Sequence, residues 1–401
     1  MQRKSVALLI ETSNGYCRGL LEGVIAYTKE CGNWSVHLTE QERGAPPPPW
    51  LKNWAGDGII ARIETDDIGR QLRQFHVPIV DLSAARHVKG VPWADTEDRA
   101  ISQLAVDHFV ERGFRQLAFC GDVGFKWSRK RGEHFCGLAE SAGCRTFRFD
   151  SVGRYDSTYD LVRERRQLID WIRKLPRPIA IMGCYDFKAQ QILDACRQLD
   201  IAVPAEVAVL GVDDDHLICE LCEPTLSSVI PDTRRTGYEA AALLNRMMSG
   251  ESVSTEQPLL TQPLGIQVRE STDTLAIDDP EIAKALQYIR RHATANIRVA
   301  DVLRNVSLSR RALEHRFKKW LSRTPHEEIQ RVRINRIKEL LQETELTIHQ
   351  IADRTGFEYV EYMTAAFRRE TGTTPTEFRG RLRVTKSNPK PSGSRHTPAS
   401  L

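Results

Sequence analysis

The chain has 401 residues, with 57 Lys and Arg against 53 Asp and Glu, for a formal net charge of +4. That length exceeds what a single core usually holds, so two or more domains are expected. No apolar run approaches the ~20 residues of a membrane-spanning helix, and nine scattered cysteines fit free thiols in a reducing compartment better than a disulfide framework.

The first residues, "MQRKSVALLIETSNG", run from a basic start directly into a short apolar stretch. No small-residue cleavage site follows, so a cytoplasmic protein without a signal peptide is expected. Through residue 270 the pattern then alternates. "SVALLI", "GDGIIARI", "VPIVDL", "QLAFCG", "PIAIMG" and "VAVLGV" are short apolar runs bounded by turn formers, and they read as buried parallel strands. Between them "GLLEGVIAYTKECG", "AISQLAVDHFVERG", "FCGLAESAG", "KAQQILDACRQL" and "TGYEAAALLNRMMSG" have helical spacing, mostly ending near Gly. Repeated strand–helix units predict a doubly wound α/β architecture. "APPPPW" (45–50) reads as a rigid surface loop. Cys219 and Cys222 form a C-x-x-C without a second ligand pair nearby, so no metal site is assigned. "STDTLAIDDP" (271–280) is polar and reads as a hinge. From there to about Arg383 the pattern is purely helical, and the Pro-, Ser- and Gly-rich end is expected to be disordered.

The helical part is the basic part. Residues 281–383 carry 21 Lys and Arg against 13 Asp and Glu, leaving the remainder net acidic, a distribution that suits an appended nucleic-acid module. In "TIHQIADRTGF", Ile348, Ile351 and Ala352 share one face, Gly356 permits a tight turn, and "EYVEYMTAAFRRE" opens a second helix. "RVADVLRNVSLSRRALEHRFKKW" (298–320) repeats the arrangement, with Ser309 as N-cap. A long helix opening on Pro325 lies between the two. These residues, and above all "FRRETGTTPTEFR", resemble the AraC/XylS family over about 100 residues. Leu303 and Ser307 depart from it, where the first motif usually has Ala and Gly.

The resemblance implies two recognition helices reaching successive major-groove faces, about one turn apart. Its outward positions are Arg310, Arg311, Glu314 and His315 on the first helix and Val360, Glu361, Tyr362 and Ala365 on the second. Arg316, Lys318, Arg368 and Arg369 are placed for phosphate. Any one of these residues could equally be a solvated surface group, whereas Leu313, Phe317, Met363 and Phe367 read as core.

Open parallel sheets bind ligands beyond the carboxyl ends of their strands. There the sequence offers Tyr16 and Arg18, then Trp127 and Arg131, then Tyr185 and Asp186, then Asp213 to Asp215. Carboxylates that accept hydroxyls, a forked Arg donor and a flat aromatic face suit a sugar, and no G-x-G-x-x-G follows the first strand to hold a dinucleotide. "RGEHFCGLAESAG", "VAVLGVDDD" and "PTLSSVIPDTRRTGYEAAALL" resemble the effector domains of the LacI/GalR family and periplasmic sugar-binding proteins. That resemblance implies two lobes joined by three crossovers, with Arg131 as donor and Asp186 and Asp213 as hydroxyl acceptors; Tyr16, Arg18 and Trp127 complete the expected set. Asp186 could instead be a helix cap, Arg131 an interlobe salt bridge and Trp127 core.

The two modules together, with "GYCRGLLEGV", "KWSRKRGEHF", "YDFKAQQIL" and "QYIRRHA", resemble the xylose-operon regulators. The implied protein is a D-xylose-responsive activator that acts as a homodimer on double-stranded operator DNA and works with RNA polymerase, with no cofactor, no metal and no membrane. The alternatives are the same architecture answering another pentose or hexose, or a DNA-targeted enzyme, for which no nucleophile–base pair stands out. The expected division is an effector domain at 1–272, a linker at 273–280, a DNA-binding domain at 281–384 and a tail at 385–401.

Overall fold

A computed structural model describes residues 3–31, 34–43, 45–152, 158–273, 279–321, 323–344 and 346–380. The chain divides into two compact units, Met1–Asp278 and Asp279–Leu401. Most of the expected linker and all of the expected tail lie outside the described residues.

The first unit runs β1 (Lys4–Leu9), α1 (Gly15–Glu30), β2 (Trp34–Leu38), β3 (Gly58–Ala61), α2 (Asp66–Leu72), β4 (Ile79–Asp81), β5 (Ala94–Thr96) and α3 (Asp98–Glu111). It continues with β6 (Gln116–Asp122), α4 (Lys126–Ser141), β7 (Arg145–Ser151), α5 (Leu161–Lys174), β8 (Ile179–Gly183), α6 (Asp186–Gln198), β9 (Val207–Val212) and α7 (His216–Leu221). β10 (Ser227–Ile230), α8 (Thr233–Met248), β11 (Leu259–Thr261) and β12 (Gly265–Gln267) close it.

Two sheets make two lobes, in the orders β2-β1-β3-β4 and β12-β10-β9-β8-β6-β7, and β11 pairs with β5 beside the first. Only the β10–β12 pairing is antiparallel among the described strands. The chain passes between the lobes three times: from β5 to α3, from β10 to α8, and from β11 to β12.

Strands buried on both faces explain the unbroken apolar runs. In β1, Val6 and Leu8 pack with α1 and α8, while Ala7 and Leu9 face the opposite layer with Leu51 and Leu72. In β9, Ala208, Leu210 and Val212 face Phe119 and Phe135, while Val207 and Val209 face Ile192 and Ile172. All six predicted strands form. β2 was missed because it is an edge strand whose residues are mostly exposed; β5, β11 and β12 are three residues each, too short to show a period.

The second unit is all helical among its described residues: α9 (Pro280–His292), α10 (Val299–Leu303), α11 (Arg310–Leu321), α12 (Pro325–Glu343), α13 (Ile348–Arg354) and α14 (Val360–Thr371). Of the expected hinge at 271–280, residues 274–278 lie outside the described residues; Pro280 opens α9, where Asp279 accepts the Ile282 N–H, a position that tolerates a residue without its own N–H. Thr324 and Thr347 start α12 and α13 with reciprocal capping boxes to Glu327 and Gln350. Ile334, Ile337 and Leu341 of α12 pack with Ile351, Ala352, Met363 and Phe367, so the long helix supports the second helix pair.

Candidate binding cleft and nucleic-acid interface

Facing strand ends from the two lobes form a narrow cleft of about 310 Å³ measured to its open mouth, lined by Tyr16, Arg43, Arg62, Asp95, Asp98, Trp127, Arg131 and Asp213. Arg131 is 5% exposed. Its Nε donates to Asp98 Oδ1 at 2.8 Å and its Nη1 to the Cys184 carbonyl at 2.5 Å, and its guanidinium lies 5.0 Å from the Trp127 ring centre. Trp127 stacks on Phe125 at 5.2 Å. Tyr16 donates its hydroxyl to Asp95 Oδ1 at 2.6 Å, under the Arg62 guanidinium at 4.9 Å. Arg62 is itself held by Glu64 at 3.0 Å and Glu11 at 3.4 Å.

Two features make this cavity chemically expectant. The first is a set of buried N–H donors, Arg43 Nε, Arg62 Nε and Trp127 Nε1, that have no partner among the described residues. A buried donor left so is costly, about 1–3 kcal/mol, unless a ligand satisfies it. The second is charge. Burial pushes Asp213 up to about 6, against the pull of Arg43, Arg131 and Arg62. Burial and the neighbouring Asp98 push Asp95 up to about 6, with the Tyr16 hydrogen bond opposing. Burial alone would loosen the protons of Arg43, Arg62 and Arg131, yet surrounding acids hold all three above the usual arginine range. The lining therefore offers fixed cationic donors beside carboxylate acceptors.

Of the six predicted cleft residues, Tyr16, Trp127, Arg131 and Asp213 line this cavity. Asp186 does not. It is 1% exposed, and its oxygens accept from Ser228 Oγ at 2.6 Å and the Asp215 N–H at 2.8 Å, so it braces the turn that carries Asp213. Burial, then the Asp213 carboxylate, raise its pKa well above the usual carboxylate range. Arg18 lies at the rim, where it and the Gly15 N–H reach across to Asp215 Oδ2 at 3.5 Å and 2.9 Å. Asp213 has φ +113°, a left-handed conformation that Asp tolerates better than most residues, and its N–H bonds the Val229 carbonyl at 3.1 Å.

Four lining residues were not anticipated: Arg43, Arg62, Asp95 and Asp98. Arg62 directly follows β3 and was findable by the strand-end rule, whereas Arg43 follows the unrecognised β2. Both members of the C-x-x-C are buried free thiols, and the Cys219 thiol points to Asp186 Oδ2 at 3.6 Å.

On the helical unit, the predicted core residues Leu313, Phe317, Met363 and Phe367 are fully buried. Arg311, Glu314, His315, Lys318, Glu361, Tyr362, Ala365, Arg368 and Arg369 are exposed, and Val360 is half-buried. Arg310 pairs along its own helix with Glu314 at 3.0 Å. Arg316 is half-exposed and pairs with Asp279 at 3.1 Å, so it also ties α11 to the start of α9. Ser309 Oγ accepts the Ala312 N–H. The unusual turn residue Ser307 donates its N–H to Glu281, a side-chain anchor where the pattern usually has Gly. Gly356 has φ +73°, and a Cβ there would lie 2.8 Å from the Thr294 carbonyl oxygen.

Comparison with known proteins adds three family matches: an XylR N-terminal domain over residues 5–92, a periplasmic binding protein-like domain over 106–272, and a helix-turn-helix domain over 302–381. The Xylose operon regulatory protein of Haemophilus influenzae is 31% identical, covering 94% of this chain and 98% of its own. The Escherichia coli K12 protein of the same name is also 31% identical, covering 94% and 97%. A solved structure of the xylose-binding transcription activator xylR matches with a TM-score of 0.82 at 30% identity, covering 95% of this chain and 98% of that one. A periplasmic binding protein/LacI transcriptional regulator from Alkaliphilus metalliredigens, 18% identical with a TM-score of 0.54, shares the fold of the first unit.

Proposed function

Because this chain belongs to the family of xylose operon regulatory proteins, we infer that it is a xylose-responsive transcriptional regulator whose cleft takes D-xylose and whose helical unit binds operator DNA. It is a DNA-binding regulator and not an enzyme. The observation that carries the sugar reading is the set of partnerless donors in the interlobe cavity. Arg43, Arg62 and Trp127 carry N–H groups without a partner among the described residues, in a cleft that the carboxylates of Asp213 and Asp95 also line. A polyhydroxylated ring meets both demands, because each hydroxyl donates once and accepts twice.

The DNA reading is supported by two helix pairs whose second members, α11 and α14, leave basic and polar residues exposed. Arg311 and Glu361 are the base-reading candidates; Lys318, Arg368 and Arg369 are placed for phosphate. In this reading the sugar acts as an activating signal, the active species is a homodimer presenting four recognition helices, and RNA polymerase is recruited beside it. The protein works in the cytoplasm.

The test uses the full chain. Calorimetry with D-xylose, L-arabinose, D-ribose and D-glucose should show tightest binding to D-xylose, and footprinting should show a change in operator occupancy with that sugar alone. Identical occupancy with and without every sugar would overturn the reading.

A further inference from the structure

We propose that Arg43 is the size filter of the cleft: its side chain divides one long interlobe groove into an inner monosaccharide cavity and an outer subsite able to receive a second sugar ring. This rests on the sugar reading above and deepens it, since it names what sets the length of the ligand.

The groove does not end at the inner cavity. A second cavity of about 1350 Å³, measured to its open mouth, adjoins it and is lined by residues that include Asn14, Phe125, Tyr185, Phe187, Lys188 and Gln191. Among the described lining residues, Arg43 is the one common to both cavities. It comes from the first lobe, and its guanidinium lies over three rings of the second: Tyr185 at 4.9 Å, Phe125 at 5.5 Å and Trp127 at 5.9 Å. Cation–π contact with several rings favours a desolvated guanidinium in this position. Arg43 Nε nevertheless has no hydrogen-bond partner among the described residues. The side chain is held as a wall but is not saturated as a donor.

The wall is also braced from behind. Gln41 exchanges hydrogen bonds with Thr12, the Ala45 N–H bonds the Glu42 carbonyl at 3.1 Å, and the proline run that follows is anchored by fully buried Leu51. Pro48 has φ −64° and ψ 143°, the stiff extended conformation of polyproline. The run "APPPPW" thus begins two residues after Arg43 and is stiff at Pro48.

Beyond the partition, the outer cavity has the composition that a sugar ring needs. Phe187 offers a partly exposed aromatic face, and Tyr185 lies 6.2 Å from it. Asn14 is nine-tenths buried, its Oδ1 caps α1 through the Cys17 N–H, and its Nδ2 is a second buried donor without a partner among the described residues. Lys188 is 7% exposed and donates to Ser151 Oγ at 2.8 Å and Gln191 Oε1 at 2.9 Å. Free donors beside aromatic faces would suit a second pyranose once the guanidinium is removed.

The test is titration calorimetry of the full chain and of Arg43→Ala and Arg43→Met with D-xylose and with its β-1,4-linked disaccharide, xylobiose. The wild-type chain is expected to prefer D-xylose at least about tenfold, a difference of ~1.4 kcal/mol. Arg43→Ala should lose that preference at least tenfold, through weaker D-xylose and newly measurable xylobiose binding. Arg43→Met, of similar length but uncharged, should weaken D-xylose yet still exclude xylobiose. Wild-type binding of xylobiose as tight as D-xylose would overturn the inference even if neither variant folds, and so would an unchanged preference in a folded Arg43→Ala. Failure of the wild-type chain to bind D-xylose at all would count instead against the sugar reading itself.

Discussion

Replacing Asp213 by Asn tests the cavity at its centre. Asparagine also tolerates φ near +113° better than alanine would, so the turn should survive while the charge is lost. A carboxylate accepts a hydrogen bond with about 1.5–3 kcal/mol of net stabilisation, against about 0.5–1.5 for a neutral acceptor. For two sugar hydroxyls the exchange removes about 2–3 kcal/mol, or roughly 30- to 150-fold in Kd. The pH profile adds a second signature. Burial has pushed Asp213 up to about 6 from an ordinary 3.8, so the folded chain holds this proton more tightly than the unfolded chain does. Lowering the pH through 6 therefore favours the fold as far as this group is concerned, and that gain is complete once the pH is below about 4. Sugar affinity should move the other way, because protonation removes the acceptor. In Asp213→Asn the pH dependence should flatten without vanishing, since Asp95 faces the same cavity and is also pushed up to about 6. Calorimetry at several pH values reads both effects. Affinity within about twofold of wild type at neutral pH, with an unchanged profile, would refute the assignment.

Three further substitutions separate the remaining claims. Asp215→Ala removes the acceptor of the Gly15 N–H and of Arg18 at the cleft rim; losing about 1–2 kcal/mol of lobe closure should raise the apparent Kd for D-xylose roughly 5- to 30-fold, and an unchanged Kd would show that this bridge does not hold the lobes. Arg311→Ala should weaken operator binding by about 1–3 kcal/mol at the half-site position it reads, measured by fluorescence anisotropy on single-base variants; equal loss on all sequences would make Arg311 a phosphate contact. Gly356→Ala, which strains a left-handed backbone and drives a Cβ against the Thr294 carbonyl, should destabilise the helical unit by about 1–3 kcal/mol, and an unshifted calorimetric transition would refute the close approach.

The sequence revealed buried parallel strands well because strands covered on both faces are apolar throughout. It revealed edges poorly, and the cleft shows the consequence. Arg43 follows β2, whose mostly exposed "WSVHL" has no apolar run to mark it, so its residue was invisible to a rule that looks past strand ends. Asp95 and Asp98 sit where a three-residue strand passes into α3 between lobes, a junction without periodicity. Asp186 shows a different limit. It stands just after a strand, as a ligand would, but a buried carboxylate there can serve ligand or turn equally well, and its bond to Ser228, forty-two residues away, is not visible in the local sequence. In the helical unit the Ser309 cap, the Gly356 turn and the core stripe were readable, because each depends on neighbours a few residues apart.

In the proposed reading, selection among sugars and control of the lobes follow from one energetic term. Tyr16, Arg43, Arg62 and Asp95 belong to the first lobe, and Trp127, Arg131 and Asp213 to the second. A sugar held by one set in an open cleft gains the other set only on closure. Driving a two-state equilibrium from one extreme to the other takes about 5.5 kcal/mol of differential affinity, which two to four charge-assisted hydrogen bonds of about 1.5–3 kcal/mol each can supply. An epimer with one hydroxyl misplaced forfeits such a bond and leaves a buried donor such as Trp127 Nε1 unsatisfied, a swing of about 3–5 kcal/mol. It can still occupy the open cleft through the first lobe. Such a sugar would compete with D-xylose without closing the lobes, so near-miss pentoses should act as antagonists of the response and not as weak agonists.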